Sequence, residues 1–321
     1  MKAKDFKIVF MGTPEFAVTI LDGIINSGHK VVSVVTTPDK PAGRGQKVSE
    51  SAVKQYATKK NLQILQPEKL KSEDFIKRLQ ILGADLFVVV AFRMLPEIIW
   101  SMPPKGTINL HASLLPDYRG AAPINWAIIN GEKETGVTTF FIEQEIDTGE
   151  ILERESIHID KNETAGDLHN KLMNLGTSLV ISSIEKIISG NYKAINQTEI
   201  LGNKKPKLAP KIFKNDCLIN WNQPAENVHN LIRGLSPYPA AWCVLDNKTK
   251  NEIKNYKIQS SKITDRRTTN NYIIELNKLG FFIPCSDFYL EILELQQEGK
   301  KKMNAKEFYA GYNKFEFSTC N

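Results

Sequence analysis

Apolar and polar positions along the first half of the chain switch repeatedly between two periods. Ile8-Val9-Phe10-Met11-Gly12 is a continuous apolar run with no polar face, the pattern of a strand buried on both sides. Pro14 suits a first helical turn and Glu15 complements the positive end of a helix dipole, so a helix is expected to run from there toward Gly28. Residues 30–37 supply a second β-rich run, 61–65 a weaker one and 85–92 a strong one, with helical spacing near 49–59 and 71–82. This alternation predicts a Rossmann-like α/β fold, a doubly wound and mainly parallel sheet with right-handed crossovers. Further on, 135–144 and 151–159 read as an antiparallel pair. A long amphipathic helix is expected over 163–189, closed by Gly190.

Between 190 and 215 the periodicity lapses. Lys193, Lys204, Lys205, Lys207, Lys211 and Lys214 face one acid, Glu199, and Pro206 and Pro210 disfavour a continuous helix, so an extended basic linker is expected. Beyond it short strand-like runs dominate, at 217–221, 241–245, 256–260, 272–276, 281–284 and 288–295, with a short helix over 228–235. That pattern predicts a small C-terminal OB-like antiparallel β-barrel. The expected division is 1–189 for the α/β domain, 190–210 for the linker and 211–321 for the barrel.

Candidate chemistry concentrates in Asn109-Leu110-His111-Ala112-Ser113-Leu114-Leu115-Pro116. On an extended strand Asn109, His111 and Ser113 share one side, and Pro116 takes the chain out of the strand. Open α/β sheets bind ligands beyond the carboxyl ends of their strands, where this segment is expected to lie. An amide and an imidazole on one side can aim two donors at a single oxygen, as acyl transfer requires when the carbonyl oxygen becomes negative. Asp147, in Asp147-Thr148-Gly149, is the candidate carboxylate that opposes an imidazolium charge and accepts the proton of an attacking amine. The plain alternatives are a structural histidine and a turn aspartate. The loop from Pro38 to Lys47 carries Lys40, Arg44 and Lys47, three cations suited to phosphate or to solvent. Gly12-Thr13-Pro14 lacks the glycines of a dinucleotide fingerprint and reads as a strand-to-helix turn.

A chain of 321 residues has room for two domains, and a net charge of +6 favours no partner by itself. No apolar run approaches the roughly 18 to 20 residues that span a bilayer, and the first strand begins too early for a signal peptide. A cytoplasmic chain with no membrane contact is expected, and a monomer. Cys217, Cys243, Cys285 and Cys320 are scattered and form no CxxC pair, so neither a metal site nor a disulfide framework is expected.

The 109–116 segment, followed by Asp147-Thr148-Gly149, resembles the signature of the formyltransferases that use 10-formyltetrahydrofolate. Met11-Gly12-Thr13-Pro14-Glu15-Phe16-Ala17, the run from Ile232 to Trp242 and Gln297-Glu298-Gly299-Lys300-Lys301-Lys302-Met303 are similar to the branch acting on methionyl-tRNA. The resemblance implies that Asn109 and His111 bind the developing oxyanion while Asp147 orients His111 and assists proton transfer. It implies folate contacts at Ser113, Leu114, Leu115 and Pro116, and at Phe92, Arg93, Met94 and Leu95. Phe92-Arg93 stand where the commonest form has Tyr-Gly, and Glu145 where a glycine is usual. It also implies that the Arg44 loop with Lys40 and Lys47, and the linker residues Lys204, Lys205 and Lys207, contact initiator tRNA. Two alternatives remain at this point, an N-formyltransferase acting on a nucleotide-linked amino sugar and a non-catalytic RNA-binding protein.

Overall fold

The computed structural model describes residues 5–42, 47–268, 273–313 and 315–319. In chain order the first elements are β1 (Lys7–Gly12), α1 (Glu15–Asn26), β2 (Lys30–Val35), β3 (Lys40–Ala42), β4 (Lys47–Ser49), α2 (Ala52–Lys59), β5 (Ile64–Leu65) and α3 (Glu73–Ile81). They are followed by β6 (Leu86–Val90), α4 (Glu97–Trp100), β7 (Thr107–His111), β8 (Arg119–Gly120), α5 (Pro123–Ile129), β9 (Glu134–Phe141) and β10 (Ile151–His158). Then come α6 (Ala165–Ser189), α7 (Gln197–Leu201) and β11 (Leu208–Ala209). The large sheet has the order β10-β9-β7-β6-β1-β2-β5. Its strands from β7 to β5 pair in parallel, and β9 joins β7 antiparallel. The chain winds outward from β1 through β2 to β5, then returns to the other side of β1 at β6. The reversal lies between β1 and β6, and ligands of such sheets bind beyond that crevice.

Val9, Met11 and Val35 of the sheet bury against Phe75 and Leu79 of α3, which explains the apolar face of that helix. Gly12 sits at the crevice opposite Val90. A Cβ there would meet Ala17 Cβ at 2.7 Å and the Val90 carbonyl oxygen at 3.0 Å, so the turn from β1 into α1 needs the missing side chain. Gly12→Ala is expected to destabilise the protein by about 1–3 kcal/mol through overpacking, measured as a lower urea midpoint. An unchanged midpoint would show that the turn relaxes without cost.

The remaining elements are α8 (Ala225–Leu235), β12 (Ala241–Asn247), β13 (Glu252–Arg267), β14 (Glu275–Asn277), β15 (Gly280–Pro284), β16 (Phe288–Gln297), β17 (Met303–Asn304), α9 (Ala305–Tyr312) and β18 (Phe317–Thr319). They form an antiparallel half-barrel sheet in the order β14-β15-β16-β13-β12-β18, with β17 on β16. Register shifts along the β13–β16 pairing bend this sixteen-residue strand and give the sheet its curl. Phe308 of α9 stacks on Phe281 and meets Tyr256 edge to face, filling the hollow.

Two expectations need correction. Residues 217–221 form no strand. Asp216 accepts the Phe213 N–H at 2.8 Å and closes a 3-10 turn over Lys214–Cys217, after which Leu218 makes a single bridge to Trp242. The basic stretch is also not extended throughout, because the Asn196 side chain caps a short helix, α7, ahead of the prolines.

By contacts the chain forms two compact units. One holds the residues up to Gly120 with Thr135–Ile157 and His169–Leu208; the other holds Ala121–Glu134, His158–Leu168 and the chain from Ala209 onward. Among the described residues no helix is long and apolar enough to cross a membrane.

Candidate active site

β7 carries Asn109 and His111 between two neighbours. Asn109 lies opposite Val89 of β6 and Phe140 of β9, and His111 opposite Thr138. Alternation places both side chains on one face of the strand. β7 ends at His111, so Ser113 does not continue the row, which corrects the expected convergence of three groups along one strand. Ser113 is fully buried, and its hydroxyl donates to the Asp117 carbonyl at 2.7 Å. The turn that follows is tied on several sides. Thr138 Oγ1 donates to the Ser113 carbonyl (2.7 Å) and accepts the Leu115 N–H (3.0 Å), while Arg154 donates to the Leu115 carbonyl at 2.9 Å. Leu115 and Pro116 are buried and Leu114 half-buried, so 113–116 forms a rigid wall.

His111 Nε2 lies 2.8 Å from the Tyr118 carbonyl oxygen. A carbonyl only accepts, so Nε2 carries the hydrogen and Nδ1 is the ring nitrogen left for other work. Nδ1 faces Asp147 Oδ2 at 3.8 Å, with the two side chains 7% and 13% exposed. That separation is too long for a hydrogen bond and short enough for the carboxylate to oppose a positive charge placed on the ring. Oδ2 also accepts the Gly120 N–H at 3.0 Å. The Asn109 carboxamide, half-buried beside His111, makes no hydrogen bond to any other described residue. Its donors are therefore free for a ligand.

Both neighbours of the imidazole have left-handed backbones, Tyr118 at φ +62° and Asp147 at φ +56°. Such conformations in residues with side chains persist where the surroundings over-determine them, often at functional sites. Tyr118 is held by its N–H on the Lys207 carbonyl (2.7 Å), and the Lys207 N–H returns to Asp117 Oδ1 (2.8 Å). The Asp147 turn is held at Gly149, where a Cβ would lie 1.8 Å from the Phe141 carbonyl oxygen. It is held again by Gln197 of α7, which donates to the Asp147 and Gly149 carbonyls at 2.9 Å each. Sequence reasoning missed Gln197, Tyr118, Thr138 and Arg119. Their contacts run largely to backbone atoms and leave no spacing pattern.

Beyond the ends of β5 and β6 lies an open cleft of about 620 Å³, lined by Lys69, Leu70, Arg93, Leu95 and Trp100 among others and reaching Gln144, three residues before Asp147. Its apolar walls and few polar groups suit a flat heterocycle. Arg93 donates to the Pro67 carbonyl at 2.8 Å and the Glu68 carbonyl at 3.2 Å, closing one side of the cleft. Burial lowers its pKa from the ordinary value. Met94 and Leu95 line the cleft with Arg93, whereas Phe92 packs against the apolar core. Lys40, Lys204, Lys205 and Lys207 are exposed, with Lys207 Nζ 5.8 Å from the centre of the Tyr118 ring. Arg44 and the side chain of Lys47 lie outside the described residues. Among the described residues no group of three His, Cys, Asp or Glu side chains could hold a metal ion.

Comparison with known proteins agrees over nearly the whole length. The profile described as formyl transferase matches residues 6–184, and that of the formyl transferase C-terminal domain matches 211–313. A methionyl-tRNA formyltransferase of Bacteroides fragilis (strain YCH46) is 49% identical over 314 residues, covering 98% of this chain and 97% of that protein. One from Flavobacterium johnsoniae is 51% identical over 310 residues, covering 95% and 96%. Among solved structures, a sugar 3N-formyl transferase crystallised in the presence of dTDP and 5-N-formyl-THF superposes with a TM-score of 0.65 at 25% identity, covering 92% of this chain and 99% of that one. An N-formyltransferase from Helicobacter canadensis gives the same TM-score at 23% identity, covering 91% and 99%, and shares the fold. With both profiles matched and half of its residues shared with full-length relatives, the chain belongs to the formyl transferase family.

Proposed function

We propose that this protein transfers the formyl group of 10-formyltetrahydrofolate to the free amine of methionyl initiator tRNA, by direct attack of the amine and without an acyl-enzyme. The observation that carries the reading is the unengaged Asn109 carboxamide beside a histidine whose Nε2 is committed to Tyr118, leaving Nδ1 toward Asp147. The folate supplies an activated formyl carbon and a nitrogen leaving group. The chain supplies the rest. As the amine lone pair attacks, negative charge grows on the formyl oxygen, and the Asn109 amide donates to it with His111 Nδ1–H as the second donor. Because Nε2–H stays on the Tyr118 carbonyl, the ring donates through Nδ1 only as an imidazolium, whose charge the Asp147 carboxylate opposes. Asp147 also takes the proton that the amine loses and returns it to the folate nitrogen as the C–N bond to the folate breaks. Each preorganised donor contributes about 3–4 kcal/mol to the transition state.

The cleft beside Arg93, Met94 and Leu95 is the proposed pterin slot, with Leu114, Leu115 and Pro116 as the folate-facing wall and Ser113 shaping it from behind. Lys40, Arg44, Lys47, Lys204, Lys205 and Lys207 are the proposed phosphate contacts, and they position the tRNA without reading its bases. Replacing Lys204 and Lys205 by alanine is expected to reduce the slope of log affinity against log salt by about 1–2, measured by titrating charged tRNA at several salt concentrations. An unchanged slope returns these lysines to solvent.

The naming of close relatives over nearly full length favours the tRNA substrate over the amino sugar of the more distant structural neighbours. Supplying 10-formyltetrahydrofolate with either charged initiator tRNA or a nucleotide-linked amino sugar tests it. Formylation of the methionyl amine is the expected result, and formylation of the sugar alone would overturn the proposal.

A further inference from the structure

Gln197 lies in the stretch that joins the two profile matches, outside every motif of the chain, yet it is 1% exposed. Its carboxamide uses all its capacity. The two hydrogens of Nε2 go to the carbonyls of Asp147 and Gly149, both at 2.9 Å, and Oε1 accepts from Arg119 Nε at 3.0 Å and Nη2 at 2.6 Å. The opposite amide orientation would set NH₂ against a guanidinium and oxygen against two carbonyls, so the network fixes the assignment. Arg119 precedes Gly120, whose N–H binds the Asp147 carboxylate at 3.0 Å. Gln197 therefore ties the backbone of the Asp147 turn to the same short segment that holds the Asp147 side chain.

We infer that Gln197 is a positioning residue for the reaction, with Arg119 as its anchor. Together they hold the left-handed Asp147 turn so that the carboxylate stays 3.8 Å from His111 Nδ1. This rests on the proposed role of Asp147. A side chain reaching across from α7 is needed because residues 143–148 belong to no strand or helix, leaving their carbonyls without a regular hydrogen-bonding ladder.

The prediction separates the two halves of the amide. Gln197→Met keeps the length and removes every hydrogen bond. Gln197→Glu keeps an acceptor for Arg119 but puts a carboxylate oxygen against the two carbonyls. Both are expected to lower kcat on the order of 10²-fold, since small misplacements of a reacting group cost that much, while the KM for the folate stays within about twofold. The deciding experiment is a double-mutant cycle on single-turnover formylation of charged tRNA. In an Asp147→Asn background Gln197→Met should cost less than about twofold more, because its effect passes through a carboxylate already removed. A general loss of structure would multiply in that background as it does in the wild type. Turnover near wild type in both Gln197 variants, or the same fold-loss on top of Asp147→Asn, overturns the inference while leaving the site intact. Wild-type turnover by Asp147→Asn alone removes the role of Asp147 and with it the inference.

Discussion

Asn109→Ala is expected to lower kcat for formylation of charged tRNA by about 10²–10³-fold, with the KM for the folate little changed, because in the proposed mechanism the lost donor acts on charge that exists only in the transition state. Among the described residues the side chain makes no hydrogen bond, so its removal leaves none of their buried groups unpaired and the fold should be unaffected. His111→Ala is expected to cost at least as much. The double variant should lose less than the product of the two, since the proposed mechanism has both donors serve one oxygen and act as a unit. Steady-state kinetics of the three variants check this. A tenfold or smaller effect of Asn109→Ala would mean that the formyl oxygen lies elsewhere.

The second large effect is expected at Gly149. Its Cβ would fall 1.8 Å from the Phe141 carbonyl oxygen, which is backbone of the sheet's own β9 and has nowhere to go. In Gly149→Ala the turn must move by more than an ångström instead, carrying Asp147 away from His111. The expected kcat loss is on the order of 10²-fold. The Leu115 turn and Arg93, proposed folate contacts, are held by hydrogen bonds outside the Asp147 turn, which meets the cleft only at Gln144, so folate affinity is expected to fall much less than turnover. Measuring folate binding and turnover on the same preparation separates the two. Equal loss of both would show that the turn and the folate slot are one structural unit.

The winding of the α/β unit was legible because its signal is periodic. Buried strands such as 86–90 have no polar face, and helices such as α3 show apolar positions at helical spacing. The candidate site was legible where chemistry clusters in sequence, at Asn109, His111 and Asp147, although nothing local in the chain shows that Asp147 lies 3.8 Å from the His111 ring. Ser113 misled because alternation says nothing about where a strand stops, and here the chain leaves the sheet right after His111. Residues 217–221 misled because an apolar run is equally compatible with a tight turn packed on a core, and Asp216 closes that turn locally. Gln197, Arg119 and Tyr118 were invisible for a different reason. Gln197 and Tyr118 act through backbone carbonyls brought together by folding, which give no partner type to search for, and Arg119 acts on the Gln197 side chain 78 residues away.

The most direct test of the central claim is a crystal structure with a stable analogue of the 10-formyl folate. The account predicts the pterin in the cleft beside Arg93 and Trp100, and the formyl oxygen within about 3.2 Å of Asn109 Nδ2 and of His111 Nδ1, the reach of a hydrogen bond. A formyl group out of hydrogen-bonding reach of both atoms, or a pterin bound anywhere else, would contradict it.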